Sequence, residues 1–200
     1  TFKAYGGCYP VRGNGASEGA KKGALAVIIR SLGLAIDPHP HTGSMRYEDG
    51  VNQIPSAAIS TMDAEFIADF IASNPTEKLE FILEMDCKKL EDKTSYNVIG
   101  EISGSTKKDE IITIGGHLDS WDTGEGAHDD GAGVIHCLEA MRILKKMNYK
   151  PKHTLRVVFF MNEENGNMGG KTYAKWVKEK GEKQKQKQKR KQKQKQKQKQ

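Results

Sequence analysis

Two hundred residues, 36% of them hydrophobic, suffice for one domain or two small ones, and a formal net charge of +6 invites a nucleic-acid partner. That charge is local: from Lys183 onward nine lysines and one arginine alternate mostly with glutamine, so the residues before the tail carry a net −4. No apolar run approaches the length of a bilayer span, and the three cysteines (Cys8, Cys87, Cys137) show neither metal spacing nor a disulfide framework.

The chain opens at Thr1 without a methionine and shows no signal peptide, which suggests a missing N-terminal part and leaves secretion open. Residues 1–23 are rich in Gly, Asn and Ser and read as loops, with a helical turn near Ser17 to Lys22. Ala24 to Ser31 is a short apolar run, expected as a buried strand. The stretch from Leu34 to Asn52 holds two prolines and two glycines and reads as a long loop; its His39 and His41 have no supporting ligand cluster. Ile54 to Ile59 is a second strand. Ser60 or Thr61 can cap the helix that follows, with Asp63 in its first turn and Met62, Phe66, Ile67, Phe70 and Ile71 on its inward face. Lys78 to Asp86 alternates apolar and charged residues, as a half-buried strand does. The charged run Lys88 to Lys93 marks a domain boundary.

Tyr96 to Ile102 and Glu110 to Ile114 are expected strands. The loop Gly115 to Gly133 follows, with His117, Asp119, Asp122, Glu125, Asp129 and Asp130 among glycines. Asp129 or Asp130 can cap the next helix, Gly131 to Met147, with Val134, Cys137, Leu138, Met141 and Leu144 as its buried stripe. Thr154 to Met161 is almost continuously apolar, the mark of a strand covered on both faces. Glu163 and Glu164 lie just past it, and a last helix spans Met168 to Lys180 with Tyr173, Trp176 and Val177 inward. The tail, 183–200, has no apolar residue and is expected to be disordered. No aromatic residue interleaves its lysines to stack on bases, so no specific nucleic-acid partner is expected.

A strand, a helix and a second strand in this order imply a parallel pair whose carboxyl ends share one sheet edge, where ligands of open α/β sheets bind. His117 and Asp119 lie past the first strand, Glu163 and Glu164 past the second, and Asp129 at the start of the connecting helix. Imidazole and carboxylates together suit a zinc-class ion. His117 offers a ring nitrogen, and Asp119 can fix its tautomer. Asp129 can bridge two ions. Of the two glutamates one can bind metal while the other takes a proton from water. A Ser120–His117–Asp119 relay is too tightly packed in sequence to form. His128 reads as loop surface.

These stretches, GGHLDSWDTGEGAHDDGAG followed by FFMNEENG, resemble the co-catalytic zinc exopeptidases, the bacterial aminopeptidase and carboxypeptidase group. The first half, in CYPVRGNGASEGAKKGALAVIIRS, PHTGSMRYEDGVNQIPSAAIS and DAEFIADFIA, resembles that family's protease-associated (PA) insert. The resemblance implies an α/β fold: a mixed, largely parallel sheet flanked by helices, incomplete here, with a partial insert domain. It divides the chain into 1–93 (insert), 94–182 (catalytic) and the tail. It implies two zinc ions per complete site, with His117, Asp129 and Glu164 as ligands, Glu163 as general base, Asp119 orienting His117, and a cis peptide between Asp129 and Asp130. It further implies hydrolysis of dipeptides or peptide ends, a homodimer, and an extracellular, periplasmic or lysosomal setting. The family also uses one more Asp or Glu and one more His downstream, whereas this sequence has no Asp and no His after Glu164. A C-terminally truncated, inactive fragment is therefore expected. The alternative is a non-catalytic binding or receptor module on the same fold, which has no chemical need of these four acidic and imidazole groups.

Overall fold

A computed structural model describes residues 2–41, 43–122, 124–181 and 183–184. The chain divides into two compact units, Thr1–Glu91 and Asp92–Gln200.

The first unit opens with a helix, α1 (Phe2–Lys21), where the sequence suggested loops. Five glycines and Pro10 lower its intrinsic propensity, so tertiary packing holds it. Ala16 and Ser17 are buried, and the Ser17 hydroxyl accepts the Glu48 N–H at 2.9 Å. A Cβ on Gly15 or Gly19 would meet the side chains of Val27 and Ile29 or of Val27, Ala24 and Ile54 respectively, so small residues let the helix approach the strand beneath it. That strand, β1 (Val27–Arg30), pairs in parallel with β2 (Ser56–Ile59). Helix α2 (Thr61–Ser73) follows and is capped by Ser60, whose hydroxyl accepts the Asp63 N–H at 2.9 Å. Its expected inward face is instead largely open: Met62, Phe66 and Ile71 are exposed, because the two-stranded sheet is too narrow to cover it. Residues 78–86 form no strand. Phe81, Ile82 and Met85 are exposed, and an alternating pattern without a pairing neighbour has no ladder to join.

The second unit is built on a four-stranded mixed sheet of order β3-β5-β4-β6. β3 (Val98–Ile102) runs antiparallel to β5 (His153–Phe160), and β4 (Lys107–His117) runs parallel to it. Helix α3 (Gly133–Lys146) connects β4 to β5, as the β-α-β pattern requires. Met141 of α3 packs with Val157 and Phe159 of β5, and Val134, Cys137 and Leu155 close around them; Leu138, expected in this stripe, is exposed. On the opposite face of β5 lie Val158, fully buried, and Arg156. The Arg156 guanidinium donates to Glu101 (2.6 Å) and to the Tyr173 hydroxyl (3.0 Å) and lies over the Trp176 ring, which is how one arginine is tolerated in an apolar strand. Tyr173 and Trp176 belong to α4 (Met168–Glu179). The first two residues of the expected disordered tail instead form β6 (Lys183–Gln184), paired in parallel with Glu110 and Ile111; the rest of that expectation, 185–200, lies outside the described residues.

Candidate metal centre

His117 is the last residue of β4, not a residue beyond it: the strand runs on through Gly115 and Gly116, with His117 opposite Phe160 of β5. The Leu118 N–H then donates to the Phe160 carbonyl at 2.7 Å, so both strands end together. Past β5, Asn162 adopts a left-handed backbone (φ 62°), which asparagine does more readily than most residues. The amides of Glu163 and Glu164 then both donate to the Asp119 carboxylate, at 2.9 and 3.1 Å. Asp119 therefore clips the second acidic stretch to the first.

Asp119 meets the His117 ring through its backbone. The Nδ1 atom lies 2.8 Å from the Asp119 carbonyl oxygen and 3.7 Å from the carboxylate. A carbonyl can only accept, so Nδ1 is the donor and carries the hydrogen. In a neutral ring Nε2 is then a bare acceptor, and it sits 3.0 Å from Asp129 Oδ1, another acceptor. Two acceptors at that distance need positive charge between them, from a proton or a metal ion. Burial lowers the His117 pKa, but the Asp119 carbonyl, the Asp129 carboxylate and the charges of Glu163 and Asp130 outweigh it and hold the ring above its ordinary value. Glu164 is also pushed up, first by burial and then by the Asp129 charge, with His117 acting in the opposite sense.

The structure brings one donor atom from each of His117, Asp129 and Glu164 within 4.8 Å of one another, the only such trio among the described residues. The nitrogen and oxygen donors fit a zinc-class ion. Glu163 is exposed beside them, and Asp119 is half-buried behind them. His128 is exposed, and neither it nor Asp122 nor Glu125 belongs to the trio. The Ser120 hydroxyl donates to the Gly124 carbonyl (2.9 Å), which occupies it away from the imidazole.

Asp129 and Asp130 do not cap α3, contrary to expectation: the helix begins at Gly133 without a side-chain cap, after a kinked turn over Ala127–Ala132 in which Asp129 and Asp130 have non-helical backbone. The Asp129–Asp130 peptide is cis. Asp129 faces solvent, with its side chain 79% exposed, while Asp130 is half-buried and accepts the His117 N–H at 3.0 Å. Sequence reasoning missed this use of Asp130, and it also missed Asn97. The Asn97 amide donates to the Gly169 carbonyl and accepts the Met161 N–H, which ties the end of β5 to the start of α4. Nothing local distinguishes that asparagine from a loop residue; its partners are more than sixty residues away.

A parallel strand pair with imidazole and carboxylates converging at its carboxyl edge has the donor set of a zinc-class metal centre. Residues 97–191 match Peptidase family M28. It is similar to carboxypeptidase Q of Mus musculus, 41% identical over 162 residues, which covers 81% of this chain and 34% of that protein. Among solved structures it is similar to a peptidase M28 precursor from Shewanella amazonensis SB2B (TM-score 0.81, 46% identity, 88% of this chain and 39% of that one). It also resembles BSAP, a zinc aminopeptidase from Bacillus subtilis (TM-score 0.50, 26% identity, 80% of this chain and 37% of that one). The chain spans about a third of the length of the curated relatives it matches. No helix among the described residues is long and apolar enough to cross a membrane.

Proposed function

We propose that this chain carries the metal-binding part of a zinc exopeptidase that hydrolyses dipeptides or peptide ends. His117, Asp129 and Glu164 would hold the metal, Asp129 being the shared ligand of two ions that the resemblance implies, and Glu163 would act as general base. The observation that carries this is His117 Nε2 facing the Asp129 carboxylate at 3.0 Å, with Glu164 completing the cluster. Bound zinc supplies Lewis acidity and lowers the pKa of water. The chain's own groups do the rest. The Asp119 carbonyl keeps hydrogen on Nδ1 and so leaves Nε2 open. The Asp119 carboxylate holds the Glu163 and Glu164 backbone, which sets the base beside the ligand. Glu163, exposed and ionisable, accepts a proton from the attacking water and can pass it to the leaving amine.

On the resemblance set out above, residues 1–93 form a PA-like insert and 94–182 the catalytic part, and the protein acts as a homodimer in an extracellular, periplasmic or lysosomal setting. Among the described residues three protein donors converge for the two ions, and the sequence has no Asp and no His after Glu164. We therefore expect these residues by themselves to bind zinc weakly and to hydrolyse dipeptides little or not at all.

Metal analysis of the dialysed protein, beside Glu164→Ala, tests this. The expected result is zinc taken up on titration, held below one equivalent after dialysis, and lost in the variant. Equal zinc in both proteins would refute the assigned ligands, and two retained ions per chain would refute the weak-binding expectation. Zinc bound through Glu164 also separates this reading from a receptor-like module, which needs no such site.

A further inference from the structure

We propose that Asp130 is a positioning residue for the metal centre: its carboxylate grips the backbone of His117 and so aims the imidazole at Asp129 and Glu164. This deepens the function proposed above and rests on it. The two adjacent aspartates have opposite surroundings. Asp129 is open to solvent and stands in the donor trio, while Asp130 turns inward, stands outside the trio, and takes the His117 N–H at 3.0 Å.

The pocket for this carboxylate is built of missing side chains. A Cβ on Gly116 would land on Asp130 Oδ2, and a Cβ on Gly133 would land on Oδ1. The glycine before His117 and the glycine opening α3 thus leave room on both sides of one carboxylate. His117 is then held at two points: its amide by Asp130, and its Nδ1 by the Asp119 carbonyl at 2.8 Å. With the backbone and one ring nitrogen fixed, the direction of Nε2 follows. Pairing of β4 with β5 fixes the strand around His117, but without Asp130 the His117 peptide can tilt and the ring lose the Asp129–Glu164 focus. Groups that orient a metal ligand from behind typically change metal affinity about 10- to 100-fold when removed.

The experiment uses the full chain and its Asp130→Ala, Asp130→Asn and Glu164→Ala variants. Zinc affinity is read by competition with a chromophoric chelator, and amide hydrogen exchange is read by NMR on metal-free protein. Asp130→Ala is expected to weaken zinc about 10- to 100-fold and to speed exchange of the His117 amide selectively. Asp130→Asn, which keeps an acceptor of the same shape, is expected to recover most of both. Unchanged zinc affinity in Asp130→Ala overturns the proposal, whatever happens to exchange. So does exchange that rises equally throughout residues 98–160 in both Asp130 variants, since that assigns the residue to the fold alone. If wild-type protein takes up no zinc that Glu164→Ala removes, the underlying metal site fails and the positioning role falls with it; selective loss of His117 protection then leaves Asp130 as a local backbone brace only.

Discussion

Two of the parallel strand pairs, β1–β2 and β4–β5, have carboxyl ends finished with different chemistry. At the end of β1 and β2 stand Ser31, Ser60 and Thr61, each no more than 2% exposed. Their hydroxyls are taken up by neighbouring groups: Ser31 donates to the Ile59 carbonyl (2.7 Å) and accepts the His41 N–H, Thr61 accepts the Asp37 N–H (2.8 Å) and faces its carbonyl, and Ser60 accepts the Asp63 N–H and donates to the Asp63 carboxylate. At the end of β4 and β5 stand His117, Asp119, Glu163 and Glu164, with Asp129 beside them. Hydroxyls donate and accept, so nearby backbone groups can satisfy them. Carboxylates only accept: the Asp119 carboxylate is met by the Glu163 and Glu164 amides, but Asp129 and Glu164 converge on the His117 ring nitrogen, an arrangement that calls for a cation or a proton. The strand topology is shared; the edge chemistry makes one end a staple and the other a site.

Three measurements sharpen this contrast. The largest expected effect is Thr61→Val, which keeps the shape and leaves the Asp37 backbone N–H without its buried acceptor. A loss of about 1–3 kcal/mol is expected in chemical denaturation, with faster hydrogen exchange confined to residues 27–73. An unchanged midpoint would mean that water replaces the hydroxyl and the end is not closed. Next is Ser60→Ala, which removes the α2 cap and should cost about 1 kcal/mol, again read in the same peptides.

The smallest effect has the opposite sign and belongs to the acidic end. Glu164 has a raised pKa in the folded chain, so its ionised form is penalised there. Its contribution to stability is therefore full below its ordinary value of 4.5 and is lost as pH rises through the raised folded value. His117 is raised as well and loses its contribution the same way, above its ordinary 6.5. Metal-free Glu164→Gln should accordingly melt at or above wild type at neutral pH, with the gap shrinking as pH falls toward 4.5, and added zinc should reverse the order. A variant that melts below wild type at neutral pH without metal would show that the acidic end is satisfied by itself, and the contrast would collapse.

Much of the second unit was legible in the sequence because its signals are short-ranged. The run Thr154 to Met161 reads as a doubly covered strand and lies within a residue of β5, and the Val134–Cys137–Met141 stripe packs where its period places it. Two patterns misled. The alternation in Lys78 to Asp86 has the right period but no neighbour to pair with. The glycines of α1 argue against a helix locally, yet two of them are what lets that helix lie on β1. Asp130 was hidden for another reason: it is chemically identical to its neighbour, and only the fold of the loop turns one aspartate outward and the other in.

By itself the sequence determined the order β4–α3–β5 and the placement of imidazole and carboxylates at one edge of it, since apolar periodicity and the residues that follow each run are properties of a few consecutive positions. Tertiary structure alone decided that the Asp119 carboxylate holds the Glu163–Glu164 backbone while its carbonyl holds His117, that Asp130 grips His117 from within, and that hydroxyls seal the other strand pair. Each of those depends on a partner between two and several tens of residues away, and a hydrogen bond is specified by where two atoms meet rather than by which residues stand next to each other in the chain.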